Sequence, residues 1–264
     1  MDGRLETITL EIADGVATLT LNQPEKRNPM TVRMGEEIVE AIRGLADRED
    51  ARVLVVAGAG EAFCAGGDMA FIEENARRPV QESRQIMLDY YDRYLSLLRL
   101  PIPTIAAIHG YAIGGGLALA LACDLRYAAE DARLGVNFAR LGIHPGMAST
   151  FTLPRAVGRA RALELFYTAR LVTGREAEAM GLVNRAVPRP ELMGTVLDIA
   201  CAISRNAPLV VRMLKRAVYR GFEGGLASAL EYEAFCQAIT YTTADLKEGV
   251  AAIRERREPR FQGR

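Results

Sequence analysis

The chain has 264 residues, enough to bury a sizeable core as one large α/β domain or a domain with an appendage, and short of two full-size domains. Its 33 basic and 33 acidic residues cancel, so no global field draws nucleic acid, an anionic membrane or a polyacidic partner, and any anionic ligand must be held by local groups. Cys64, Cys123, Cys201 and Cys236 form no CxxC pair and suit reduced thiols in a cytoplasmic protein, while Glu6, Glu11 and Asp14 stand where a secretory signal would be apolar. No stretch reaches about 18 uninterrupted apolar residues, so no membrane span is expected.

Residues 7–21 alternate apolar and polar on either side of Asp14-Gly15, which predicts a β-hairpin with a tight turn. After the Asn22-Gln23-Pro24 break, Thr31 is a suitable N-cap for a helix carrying Met34, Ile38, Ile42 and Leu45 at helical spacing. Residues 53–57 form a short, continuous apolar run rich in β-branched side chains, as expected of a strand covered on both faces. A helix is predicted over 81–98, a second buried strand over 104–108, and an Ala/Leu-rich helix after the glycines at 110–116. Strand, helix, strand, helix implies a right-handed α/β crossover. Beyond Leu153 the sequence is almost wholly helix-forming, and residues 191–264 are predicted as a helical appendage whose apolar faces need the core or a neighbouring subunit to cover them.

Two glycine loops, FCAGGD at 63–68 and GYAIGGG at 110–116, each follow a buried strand. In open α/β folds ligands bind at the carboxyl ends of strands, and a helix opening at Gly114 to Gly116 would aim N–H groups and the positive end of its dipole into that crevice. Such a place favours an anion or a developing negative charge. Neither loop has the spacing GxGxxG or GxxxxGK[ST], so dinucleotide and nucleoside triphosphate readings lack their motifs. The two histidines, His109 and His144, are far apart in sequence and no HExxH is present, so no metal site is expected.

On these stretches the chain resembles the crotonase, or enoyl-CoA hydratase/isomerase, family over nearly its whole length. The matching segments are LNQPEKRNPM (21–30), FCAGGDM (63–69), PTIAAIHGYAIGGG (103–116), CDLRYAAEDARLG (123–135), LGIHPG (141–146), LPRAVG (153–158), TGREAEAMGLVNRAVP (173–188) and DLKEGVAAIRERREPRF (245–261), all in order. The resemblance implies an α/β fold with a ββα superhelix core over 1–190, and a C-terminal helical trimerisation region over 191–264 giving a homotrimer or a dimer of trimers. It implies an acyl-coenzyme A thioester as substrate, coenzyme A entering only as part of that thioester, with no further cofactor. The N–H groups of Gly67 and Gly115 would form an oxyanion hole for the thioester oxygen. Ala65, Gly66, Asp68, Met69 and Gly114 would line the channel, with the Ala65 carbonyl near the adenine amino group, and Lys26 and Arg27 would meet the phosphates. Lys215 is a further candidate for the adenosine phosphate.

The family's proton-transfer positions are vacant. Its hydratases carry one glutamate two residues after the GGG and a second before the LG of LGIHPG; these positions hold Ala118 and Phe138, which would instead line an apolar pocket for a bulky acyl group. A third site, an aspartate in some isomerases, dehalogenases and hydrolases, is Gly146. His144 is the remaining candidate for proton transfer, since histidine titrates near neutrality, with Glu73, Glu74, Asp89 and Asp92 on the covering helix as alternatives. Asp68 is read as a loop brace, His109 as a hydrogen-bonded structural residue, and Tyr90, Tyr91 and Tyr94 as packing or pocket lining. Three readings follow: isomerase- or lyase-type enolate chemistry, hydration through unusual groups, and a catalytically silent acyl-CoA binding protein.

Overall fold

The computed structural model describes residues 5–221 and 224–264. Strands β1 (Ile8–Ala13) and β2 (Val16–Leu21) form the expected hairpin, with Asp14 and Gly15 both at positive φ in the turn. Then come β3 (Pro29–Met30), α1 (Val32–Ala46), β4 (Val53–Gly58), β5 (Gly66–Gly67), α2 (Met69–Asn75), α3 (Val80–Tyr94), β6 (Thr104–Ile108), β7 (Tyr111–Ile113) and α4 (Gly115–Leu121). Strands β8 (Leu125–Ala129) and β9 (Arg133–Gly135) precede α5 (Ser149–Val157), α6 (Arg159–Thr168), β10 (Val172–Thr173), α7 (Gly174–Ala179) and β11 (Arg185–Val187). Four helices end the chain: α8 (Leu192–Ser204), α9 (Pro208–Gly221), α10 (Leu226–Thr240) and α11 (Ala244–Glu255).

The large sheet has six strands in the order β1-β2-β4-β6-β8-β11, and all pairs beyond the antiparallel hairpin are parallel. Parallel strands covered on both faces are apolar throughout, and every residue of β4 from Val53 to Ala57 and of β6 is buried. Each of β2, β4, β6 and β8 is followed by a short strand outside that sheet, respectively β3, β5, β7 and β9. This repeated strand–short strand progression is the ββα superhelix of the crotonase fold. The short strands pair among themselves, β3 with β5 and β7 with β9, the latter also pairing with β10.

Thr31 caps α1 as its sequence suggests, its hydroxyl accepting from the Met34 N–H at 3.1 Å. The buried face of α1 includes Met34, Ile38, Ile42 and Leu45. One buried carboxylate lies on this helix: Glu37 accepts from the N–H and hydroxyl of Thr7 and from the Glu6 N–H, and pairs with Arg33 at 2.8 Å. Burial pushes the Glu37 pKa up, and these donors more than reverse it, so the net shift is downward.

The helix expected over 81–98 is shorter: α3 ends at Tyr94 and a 3₁₀ turn, Leu95–Arg99, completes the span. A separate helix, α2, precedes it. Helix α8 packs across β2, β4, β6 and β8 through Leu192, Val196 and Ala200. By contrast α9 and α10 bury none of their described residues, and Leu214, Val218, Leu226, Leu230, Phe235 and Ile253 stand exposed along the last three helices.

Candidate active site

The two glycine loops lie against each other at the carboxyl ends of β4 and β6. The Phe63 N–H donates to the His109 carbonyl, the Cys64 N–H to the Tyr111 carbonyl, and the Ile113 N–H to the Cys64 carbonyl. This lacing leaves no room for side chains at several points. A Cβ on Gly110, which has φ of +57°, would fall 1.7 Å from the Glu61 carbonyl oxygen, and one on Gly116 would fall 2.3 Å from that of Cys64. Gly66 has φ of +96°, and its Cβ would meet the Ile113 carbonyl oxygen at 2.6 Å and the Gly115 nitrogen at 3.6 Å. Only glycine admits that approach.

The approach sets β5 against the start of α4. In the parallel pair β3 and β5, Met30 stands opposite Gly67 and the Asp68 N–H donates to the Met30 carbonyl. Gly67 itself lines the cavity described below. Gly115 is the first residue of α4, where a helix leaves its opening N–H groups without intrahelical acceptors. Both Gly67 and Gly115 line the same cavity.

The loop preceding β3 is held by a residue that motif reading passes over. Asn28, fully buried with φ of 54°, accepts from the Gln23 N–H and donates to the carbonyls of Ala59 and Ala62 at 3.0 and 2.8 Å. The signal available in sequence was an Asn next to a proline turn, since Asn tolerates the left-handed conformation and bonds to nearby backbone. Two tyrosines of α3 pin the next residues: Tyr90 donates to the Met30 carbonyl and Tyr94 to that of Thr31, both at 2.6 Å. Met30 then places its sulfur 2.7 Å from where a Gly115 Cβ would stand.

Above these loops lies a cavity of ≈ 570 Å³. Ala65, Gly66, Gly67, Gly114 and Gly115 form its floor, with Met30 and Ile113. Its roof and walls are Met69, Phe71, Ile72 and Ala76 of the α2 region, Ser83, Met87, Tyr90 and Tyr91 of α3, and the segment of Phe138, Leu141, Ile143, His144, Gly146 and Met147. Phe71 stacks on Tyr90 with ring centroids 4.6 Å apart. The lining is thus mostly apolar, with Asn75, Ser83, Asn137, Tyr90, Tyr91 and His144 as its polar side chains. Asn75 donates to the Ser83 hydroxyl at 2.9 Å.

Of the residues singled out in sequence, the structure gathers Ala65, Gly66, Gly67, Met69, Gly114, Gly115, Phe138 and His144 around this cavity. It does not bring Ala118 to it: that side chain points into the core from the second turn of α4 and is 1 % exposed. Asp68 precedes α2 without lining the cavity or capping the helix by its side chain. Lys26 and Arg27 are exposed and outside the lining, with the Arg27 guanidinium 5.7 Å from the Tyr111 ring centre. Lys215 is taken up elsewhere, bonding the Ile102 carbonyl and Asp124, both at 2.9 Å.

Nor do the carboxylates of the covering helices reach in. Glu74 pairs with Arg78 and Asp92 with Arg99, Asp89 accepts from Gln85 at 3.0 Å, and Glu73 is exposed and outside the lining. His144 does reach in, and its Nδ1 lies 2.8 Å from the Pro145 carbonyl oxygen. A carbonyl only accepts, so Nδ1 carries the proton and Nε2 of the neutral ring keeps its lone pair. His109 is used differently, its Nε2–H donating to the Gly60 carbonyl at 3.0 Å. Burial, aided by the Arg189 charge, pushes the His109 pKa down against the opposing pull of that bond and of Asp131. Burial pushes the Cys64 thiol up to about 12 against the opposing pull of a backbone hydrogen bond from Gly66, and it stays protonated at neutral pH. No cluster of His, Cys, Asp and Glu able to hold a metal ion occurs among the described residues.

A mostly apolar cavity floored by two glycine loops at strand ends has the form of a small-molecule site, and the comparisons give its family. The sequence model of the enoyl-CoA hydratase/isomerase family matches residues 11–264. The chain is 38 % identical to the human enoyl-CoA hydratase domain-containing protein 2, mitochondrial, over 95 % of this chain and 86 % of that protein. Its structure is similar to that of an enoyl-CoA hydratase from Bacillus anthracis, with a TM-score of 0.92 and 35 % identity over 98 % of this chain and 100 % of the other. An enoyl-CoA hydratase from Mycobacterium smegmatis gives a TM-score of 0.89 at 32 % identity, over 97 % of this chain and 99 % of that one. The chain belongs to the enoyl-CoA hydratase/isomerase family, whose enzymes act on acyl-CoA thioesters.

Proposed function

We propose that this protein carries out enolate chemistry on an acyl-CoA thioester, of the double-bond isomerase or lyase type, rather than hydration by paired glutamates. What supports this reading is that Gly67 and Gly115 both line the floor of an apolar cavity in which His144, and no carboxylate side chain, reaches the lining. In this mechanism the thioester oxygen sits between the two N–H groups, which strengthen their hold as it becomes an enolate oxygen. Each such donor is worth roughly 2.7–4 kcal/mol in turnover, judged from a well-characterised oxyanion hole. His144 Nε2 takes the α-proton. Water activation by two carboxylates has no counterpart, since Ala118 is packed in the core and Phe138 presents a ring.

Lys26 and Arg27, exposed near the floor, supply local positive charge for the phosphates of coenzyme A, and no cofactor beyond the thioester is invoked. The exposed apolar side chains of α9, α10 and α11 support assembly as a homotrimer or a dimer of trimers. Free cysteines, two of them buried, fit a cytoplasmic protein.

The test is mass spectrometry of the protein incubated with saturated, 2-enoyl, 3-enoyl and 3-hydroxyacyl-CoAs in deuterated water. Deuterium uptake or a shifted double bond is expected, and His144→Ala should lower either rate by about 10²-fold or more. Undiminished turnover in that variant would remove the histidine from the mechanism. Labelled water oxygen in a 3-hydroxyacyl product would make the protein a hydratase, and binding of every thioester without chemical change would make it an acyl-CoA binding protein.

A further inference from the structure

The reaction just proposed needs two proton transfers, and His144 supplies one. A base that removes the α-proton leaves a dienolate, which must gain a proton at its far carbon for the double bond to move. Among the polar side chains lining the cavity, the amides of Asn75 and Asn137 and the Ser83 hydroxyl are poor acids at neutral pH. Apart from the imidazolium that His144 becomes at the α-carbon, a phenol is the one remaining acid type in the lining.

The three tyrosines of α3 are not equivalent. Tyr90 and Tyr94 have committed their hydroxyls to the carbonyls of Met30 and Thr31. The Tyr91 hydroxyl has no hydrogen-bond partner among the described residues, although its ring lines the same cavity and packs edge-on to Tyr90 at 6.3 Å. Its oxygen lies 2.4 Å from where a Cβ on Gly146 would stand, and its Cζ lies 2.8 Å from that point. The phenol therefore fills the space that any side chain at 146 would occupy. Glycine at 146 is what lets the ring in. The neighbouring Met147 reaches across to the oxyanion floor, its sulfur 3.7 Å from the place of a Gly115 Cβ, and His144 stands two residues back on the same segment.

Resting on the enolate reading above, we propose that Tyr91 is the proton donor of this site, its hydroxyl protonating the γ-carbon of a dienolate formed from a 3-enoyl-CoA. His144 Nε2 takes one proton from the α-carbon, and that electron pair moves into the dienolate held by Gly67 and Gly115. The γ-carbon then takes the Tyr91 proton as the new α,β double bond forms. The imidazolium returns its proton to the phenolate through solvent at the exposed rim. The substrate loses one proton and gains one, with no change in oxidation state. Burial raises the Tyr91 pKa, which keeps the phenol in its proton-bearing form before the reaction.

Tyr91→Phe removes only the oxygen and leaves the ring packing in place. In deuterated water with 3-hexenoyl-CoA as probe, the variant should exchange the α-proton within about 3-fold of the parent rate while γ-deuteration and conversion to the 2-enoyl product fall by about 10²-fold or more. Gly146→Ala, whose Cβ would displace the phenol, should give the same split by a second route. Conversion by Tyr91→Phe at the parent rate would overturn the proposal alone. Equal loss of exchange, conversion and thioester binding would make Tyr91 a packing residue and also overturn it. If the parent protein binds 3-hexenoyl-CoA and exchanges nothing, the enolate reading fails and this proposal goes with it.

Discussion

Beneath the cavity the chain is packed so closely that Gly66, Gly110 and Gly116 cannot accept a Cβ without striking a carbonyl oxygen. Above it, α2 has no buried residue, and Met69 is 54 % exposed although it lines the cavity. The floor is thus specified by backbone and by the absence of side chains, and the roof by side chains laid over it with freedom to vary. The division has a chemical sense. An oxyanion hole works by holding donors in a fixed place before the charge appears, whereas a pocket for an acyl chain needs only apolar surface of suitable shape.

The largest effect expected from this contrast is in the floor. Gly116→Val places its Cβ among the Cys64 carbonyl oxygen, Cβ and carbonyl carbon, at 2.3, 2.9 and 3.0 Å, with backbone that is itself tied to β7. Overpacking that cannot be relieved by a side-chain rotation should cost about 3 kcal/mol, the upper part of the usual range. Chemical denaturation of the variant would measure it. A floor that absorbed the valine within about 0.5 kcal/mol would show that the close contacts are not what holds the two loops together.

A smaller effect tests the polar brace of the same floor. His109 prefers its neutral form in the fold, while the unfolded imidazole takes a proton near its ordinary value of about 6.5. Stability from this preference is therefore complete above that pH and is lost as pH falls through it, down to the lower folded value, below which both states are protonated. The ring is only part-buried, so solvent screening limits the loss to about 0.5 kcal/mol. Thermal midpoints compared between pH 7.5 and 5.5 should fall further for the parent than for His109→Gln. Parallel curves would mean that the histidine's titration does not reach the floor.

The same contrast explains what the sequence shows and what it hides. The hairpin turn at Asp14-Gly15, the Thr31 cap and the buried strands β4 and β6 are governed by neighbours a few residues apart, so periodicity and turn chemistry suffice. The glycine loops could be marked as a place for negative charge because strand ends and helix openings carry that meaning locally. The short strands β3, β5, β7, β9 and β10 are invisible to periodicity: two or three residues show no pattern, and their partners lie far along the chain. Helix α2 is short too, and its apolar residues face a cavity rather than a core. For the same reason Tyr91 could be read only as lining. Its spacing on α3 resembles that of Tyr90, and what separates them, a hydroxyl over Gly146 with no partner among the described residues, depends on a contact across 55 residues of chain.

The smallest expected effect on stability comes from the roof, and it sharpens the contrast most. Met69 opens α2 just after β5, two residues from Gly67, so in sequence it is as close to the proposed chemistry as any floor residue. Its side chain, however, is exposed over much of its surface and packs on the cavity rather than under it. Met69→Ala should therefore change stability by no more than about 0.5 kcal/mol. Removing the thioether widens the roof, and one methylene of hydrophobic contact is worth about 1–3 kcal/mol in discrimination between substrates. Turnover measured across acyl-CoA chain lengths should shift towards longer or bulkier groups while the rate with the best substrate stays within a few-fold. A large loss of stability with unchanged chain-length preference would place Met69 with the floor, and the boundary between the two regions would then lie beyond α2 rather than between β5 and α2.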